Sequence, residues 1–131
     1  MGEDDILEKT IFHKDYNMDK KDNINTIPTE PAVFGIFSII HDKPVNCRYV
    51  GEAENLRQAV KDLFEKAGDV SEGFAKFMQG PWIQRMLYEL MPGSSPEDRQ
   101  KAVAEWTKKY NPKCDEKGEY PKDKTTRKTI D

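Results

Sequence analysis

The side chains capable of chemistry are few and widely spaced. Cys47 and Cys114 are the only cysteines, far apart and without a CxxC partner. They are too few for a disulfide framework or a cysteine-based zinc site, and both read as reduced thiols. His13, in a polar N-terminal stretch, and His41, in a stretch of turn composition, read as solvated histidines rather than bases. Gly35 and Gly51 stand singly and make no phosphate loop, and the chain carries no cofactor motif and no internal repeat. What remains is cationic and phenolic. Residues 99–128 are dense in Lys and Arg, with Tyr110 and Tyr120 interleaved among the lysines. That combination can follow a nucleic-acid backbone by phosphate contact and base stacking, although such a run is more commonly a solvated segment.

These residues must be positioned by a small number of elements. Val33-Phe34-Gly35-Ile36-Phe37-Ser38-Ile39-Ile40 is β-branched and aromatic and too short for a typical helix, which predicts a buried strand. His41-Asp42-Lys43-Pro44 predicts a turn, and residues 46–50 a second strand ended by Gly51, so the pair forms a hairpin. Leu56, Val60, Leu63 and Phe64 follow the i, i+4, i+7, i+8 spacing of one helical face, with Gly68 as a C-terminal stop. A short helical turn is expected over residues 71–78, before the Gly80-Pro81 breaker. The period of residues 82–91 fits either a strand or a short helix. The strand is preferred, because a lone hairpin is marginal and gains from a third partner. Ser95-Pro96-Glu97-Asp98 combines a capping hydroxyl, a proline suited to the first turn and two carboxylates at the positive end of the dipole. It predicts a helix to about Tyr110 with Ala102, Val103 and Trp106 inward, stopped before Pro112.

The expected architecture is therefore α+β, a three-stranded antiparallel sheet flanked by helices. It occupies residues 31–113, between a polar N-terminal extension (1–30) and a charged C-terminal tail (114–131). The tail is expected to be disordered or ordered only by contact. With 131 residues the chain fits one domain, and no apolar run approaches the roughly 20 residues of a membrane-spanning helix. The acidic start, Met1-Gly2-Glu3-Asp4-Asp5, lacks the features of a secretory signal, so the expected location is cytoplasmic. A formal net charge of -3 argues against a strong nonspecific nucleic-acid binder. The clustering of acid in residues 1–30 and of base in residues 99–128 keeps a local basic surface available.

Two short motifs lie on the two hairpin strands, Gly35-Ile36-Phe37 and Tyr49-Val50-Gly51, and Asn55-Leu56 opens the helix that follows. Lys108-Lys109-Tyr110-Asn111-Pro112-Lys113 closes the last helix. Together, across about residues 33–113, these features resemble the GIY-YIG nuclease superfamily, whose DNA-repair excinuclease members end in a similar Lys-Lys-Tyr-x-Pro run. The resemblance implies metal-assisted phosphodiester hydrolysis: a tyrosine to activate water, an arginine to stabilise developing charge and a glutamate to hold a divalent ion. Tyr49 matches the tyrosine of the second motif. Phe37 replaces the tyrosine of the first, Ala59 falls on the arginine, Leu63 on a frequent histidine and Val103 on the metal-binding glutamate. Arg57 and Glu105 each lie two residues from the implied position, a rotation of roughly 200° around a helix. Losing even one preorganised electrostatic contact typically costs about 100- to 1,000-fold in rate.

The resemblance therefore implies a catalytically degenerate domain, leaning away from an enzyme. It is expected to bind nucleic acid, DNA more than RNA, through Arg48, Arg57, Lys61, Lys108 and Lys109. A protein-interaction module on the same scaffold is the alternative. A divergent endonuclease using Tyr49, Arg57 and Glu105 is the third; only that one needs a cofactor, Mg²⁺ or Mn²⁺ held by Glu105.

Overall fold

The computed structural model of the chain describes residues 5–11, 22–79 and 84–121. Four strands, β1 (Leu7–Ile11), β2 (Ala32–Ile40), β3 (Lys43–Ala53) and β4 (Gln84–Leu90), form one antiparallel sheet in the order β1-β4-β2-β3. Helices α1 (Asp22–Asn25), α2 (Leu56–Glu65), α3 (Glu72–Gln79) and α4 (Pro96–Tyr110) complete the α+β fold. The expected sheet of three strands is corrected to four. Leu7-Glu8-Lys9-Thr10-Ile11 from the N-terminal extension pairs with β4 as an edge strand, burying only Ile11 fully. The assignment of a strand to the region of residues 82–91 holds over Gln84–Leu90, while the Gly80-Pro81 breaker lies outside the described residues.

The hairpin is longer than expected. His41 and Asp42 both take left-handed backbone (φ 53 and 62), the conformation of a two-residue turn whose twist matches its strands. β3 therefore starts at Lys43, and it runs past Gly51 to Ala53. Register shifts opposite Phe37 leave Asn46 and Arg48 unpaired as bulge residues. Each bulge reverses the side-chain alternation, so Cys47 faces one side of the sheet and Tyr49 the other.

That alternation divides the core. Phe34, Ile36, Met86 and Tyr88 face α2 and α3, meeting Leu56, Val60, Leu63, Phe64, Phe74 and Phe77. Val33, Phe37 and Leu87 face the opposite side and meet Ala102 and Trp106 of α4, with Val103 partly buried beside them. Tyr110 packs edge-on against Phe37 (5.2 Å) and Trp106 (5.3 Å), joining the end of α4 to β2.

The helix termini follow from sequence chemistry. Ser95 and Asp98 form a reciprocal capping box with Pro96 at the first position, as Ser95-Pro96-Glu97-Asp98 predicts. Asn55 caps α2 through Gln58 N (3.1 Å). The next two donors, Leu56 N and Arg57 N, bond to the carbonyls of Glu30 and Pro28. Residues 27–30, with Ile27 fully buried, thereby hold the start of α2 against the sheet. α2 ends at Glu65, before the expected Gly68, which sits in a 3-10 turn over Ala67–Asp69.

Two buried arginines pin the α4 face. Arg85 of β4 pairs with Glu8 of β1 and with Asp42 of the hairpin turn (2.8 Å). Arg99 of α4 pairs with Glu52 of β3 (2.7 Å) and donates to the carbonyl and hydroxyl of Ser94. Removing one member of such a pair leaves the other charge desolvated. Glu52 keeps 31% of its side chain exposed, which moderates the cost. Arg99→Ala is expected to destabilise the fold by roughly 3 kcal/mol in urea titration, and Arg99→Ala with Glu52→Ala by less than that single change.

Candidate functional site

Tyr49 lies on the α2/α3 side of the sheet, half-buried. Its ring packs 5.8 Å from that of Phe34 and 5.2 Å from that of Phe74. It also covers Gly51, where a Cβ would fall 2.7 Å from the Tyr49 ring and hydroxyl. The other motif repeats this in reverse order, since a Cβ on Gly35 would lie 3.0 Å from the Phe37 ring. In each case residues i and i+2 share a face, and the glycine makes room for the neighbouring aromatic ring. Packing alone thus accounts for the spacing of both glycine-aromatic motifs.

Burial, reinforced by the negative charge of Glu52, raises the Tyr49 pKa above its ordinary value. A phenol held in its neutral form gives up its proton reluctantly and is a weak base-forming group near neutral pH.

The residues expected to work with Tyr49 are not gathered around it. Arg57 donates from Nε to the Ile27 carbonyl (2.8 Å) and is part of the anchor of α2. Ala59, in the position of the implied arginine, packs against the α2/α3 core. Glu105 is exposed on α4, and Val103 packs into the core beneath α4, so both belong to the opposite face of the sheet from Tyr49. Among the described residues, no group of three His, Cys, Asp or Glu side chains has the arrangement of a metal site.

The five expected phosphate contacts are also divided. Lys61 and Arg57 sit on α2, Lys108 and Lys109 at the end of α4 across the sheet, and Arg48 at the β3 bulge. Lys61 is half-buried, whereas Lys108 and Lys109 are exposed, the latter with its ammonium 5.2 Å from the Tyr110 ring centroid.

Arg48 has an environment that the sequence did not disclose. Its guanidinium lies 4.6 Å from the Phe77 ring centroid and 5.7 Å from that of Tyr120. It donates to the Asn46 carbonyl (2.7 Å) and, through Nε, to the Gly118 carbonyl (3.4 Å). Burial lowers its pKa, while Cys114 and Asp115 draw it back up.

The C-terminal segment builds this environment by contact. Lys113 N bonds to the Cys47 carbonyl at the sheet edge (2.9 Å), and Tyr120 donates to the Asn111 carbonyl (3.0 Å). Asp115 folds a tight loop by accepting from Lys117 N and Glu119 N, both at 2.9 Å. The loop rests on Gly73 of α3, where any side chain would strike the Asp115 backbone. Residues 122–131 lie outside the described residues, as does His13.

The two thiols are protected to different degrees. Burial pushes the Cys47 thiol up to about 12, against its own bond to the Tyr49 carbonyl and the charge of Arg48. Burial also raises Cys114, less fully enclosed, with Arg48 opposing the shift.

No family model matches the chain, and neither does any curated protein or solved structure.

The raised Tyr49 pKa has a definite consequence for stability. The folded chain holds that phenolic proton more tightly than the unfolded chain does, so this contribution is full below the unfolded value of about 10 and is lost as pH rises through the folded one. Thermal melts above that pH are expected to fall less steeply in Tyr49→Phe than in the parent. Equal slopes would place the hydroxyl in water.

Proposed function

We propose that the chain is a GIY-YIG-like module that binds nucleic acid without cutting it. The observation that carries the non-cleaving part is the seating of Tyr49, its ring between Phe34 and Phe74, with Glu105 on the opposite face of the sheet. A hydrolytic site needs water-activating, phosphate-stabilising and metal-holding groups around one reacting atom. These side chains do not share such a point. The element order of hairpin, helix, helix, strand and helix, with the paired motifs on adjacent antiparallel strands, supports the family part of the proposal.

The binding surface proposed is the edge built around Arg48. Tyr120 offers a ring there, and Lys76, Lys113 and Lys117 lie on the elements that meet at the Gly73–Gly118 crossing. In sequence, Pro121 is followed by Lys122, Lys124, Arg127 and Lys128. Glu72, Glu116 and Glu119 share the same elements, and Lys76 approaches Glu72 at 3.9 Å, so the local field is modest. The expected affinity is correspondingly weak and depends on few phosphate contacts.

A second reading has its own support. Arg57 is spent on a backbone carbonyl, and the remaining cations are divided between two faces, which suits a scaffold retained for protein contacts.

Fluorescence anisotropy with labelled single- and double-stranded DNA and RNA separates the two. Micromolar binding is expected at low salt, weakening by about tenfold between 50 and 200 mM salt for a few phosphate contacts. Arg48→Ala should weaken it, and Lys108→Ala with Lys109→Ala should not. Absence of binding at every salt concentration removes the nucleic-acid proposal and favours a protein partner.

A further inference from the structure

Tyr120 differs from the other described tyrosines in what its ring meets. Tyr49 packs between Phe34 and Phe74, Tyr110 against Phe37 and Trp106, and Tyr88 lies buried in the core. The Tyr120 ring is half-buried, with the Arg48 guanidinium 5.7 Å from its centroid, and among the described residues no second ring packs on it. The same guanidinium lies 4.6 Å from the centroid of the buried Phe77, so the cation ties Tyr120 to α3.

The backbone that carries this ring is fixed as well. The Tyr120 hydroxyl donates to the Asn111 carbonyl (3.0 Å), and its neighbour Glu119 is bonded to Asp115 through both backbone groups, N to Oδ1 (2.9 Å) and O from N (2.8 Å). Gly118 and Gly73 let the loop and α3 approach closely, since a Cβ on Gly118 would lie 3.0 Å from the Gly73 carbonyl oxygen and from Phe77 N. A ring held in this way has little freedom left to lose when a flat ligand stacks on it. The charges around it cancel: Arg48, Lys113 and Lys117 stand with Asp115, Glu116 and Glu119, and Lys76 approaches Glu72 at 3.9 Å. Duplex binding runs on neutralising closely spaced phosphates, and a surface without excess cation gains little from it. Stacking needs no such excess and accepts any unpaired base, because every base has a π-face.

We propose that the Arg48 edge takes single-stranded nucleic acid, one unpaired base stacking on Tyr120 while Arg48 backs the ring and the exposed Lys113 and Lys117 meet the flanking phosphates. This substrate class rests on the nucleic-acid reading above and narrows it to strands with unpaired bases. In a duplex the base faces are occupied by their neighbours in the stack, so only the phosphates remain for a surface whose cations are already matched by carboxylates.

The test titrates the full chain at low salt into labelled probes and reads anisotropy. The probes are a DNA strand of about ten nucleotides, within the usual site sizes for such binding, the RNA of the same sequence, the DNA duplex, and an abasic strand of equal length that keeps the phosphates and lacks the bases. The DNA or RNA single strand is expected to bind about fivefold or more tighter than the duplex and the abasic strand; the tighter of the two identifies the sugar that the edge accepts. Tyr120→Leu should bring the intact strand down to the abasic level while leaving abasic binding unchanged, which a mere loss of loop structure would not do. Tyr120→Phe keeps the ring without the bond to Asn111 and should retain the preference. Duplex or abasic strand binding as tightly as the single strands, or a preference that survives in Tyr120→Leu, overturns the assignment of an unpaired base and leaves the nucleic-acid reading standing. Absence of binding by every probe overturns that reading and this substrate class with it.

Discussion

β2 is buried on both faces, and this constraint organises the rest of the molecule. A strand covered on one side only can expose alternate residues, but Val33, Phe34, Ile36 and Phe37 are all buried and need a helical layer on each side of the sheet. α2 and α3 supply one layer and α4 the other. Once that is set, any side chain on β3 or β4 belongs to one layer or the other. The two bulges of β3 decide which. They turn Tyr49 toward Phe74 and Cys47 toward Trp106, and they push Arg48 out at the sheet edge, where the C-terminal segment closes over it.

The same constraint explains why the expected site residues do not converge. Placing α2 and α4 on opposite faces separates Arg57 and Lys61 from Glu105, Lys108 and Lys109 by the thickness of the sheet. The motif glycines have a sufficient cause in packing, because each accommodates the aromatic ring two residues away. A glycine-aromatic pair is thus informative about the strand pairing around it, and much less so about chemistry. Function has to be argued from the side chains that meet, and the clearest such meeting is Arg48 with Phe77 and Tyr120.

Much of the fold was legible in the sequence because its signals are local. The apolar run of β2, the four-residue recurrence of Leu56, Val60 and Phe64, and the Ser95-Pro96-Glu97-Asp98 start of α4 each specify an element within a few residues. Other features depend on contacts distant in sequence. Leu7-Glu8-Lys9-Thr10-Ile11 has little alternation, and its place in the sheet rests on backbone pairing to β4 and on the Glu8–Arg85 pair. The segment after Pro112 is held by backbone groups, Lys113 N on Cys47 O and the close approach of Gly118 to Gly73, which leave no hydrophobic signature. In Gln84–Leu90 the buried Arg85 and Glu89 share a face with Leu87, so the sequence alternation does not show that this face is covered.

The proposal of binding without cleavage rests on the seat of Tyr49 between Phe34 and Phe74. The most direct measurement incubates the purified chain with single-stranded, duplex and branched DNA in Mg²⁺ or Mn²⁺ and resolves the products by denaturing electrophoresis. Intact substrate is expected in both metals. Metal-dependent products that disappear in Tyr49→Phe would overturn the proposal and would require Tyr49 to leave its seat between Phe34 and Phe74.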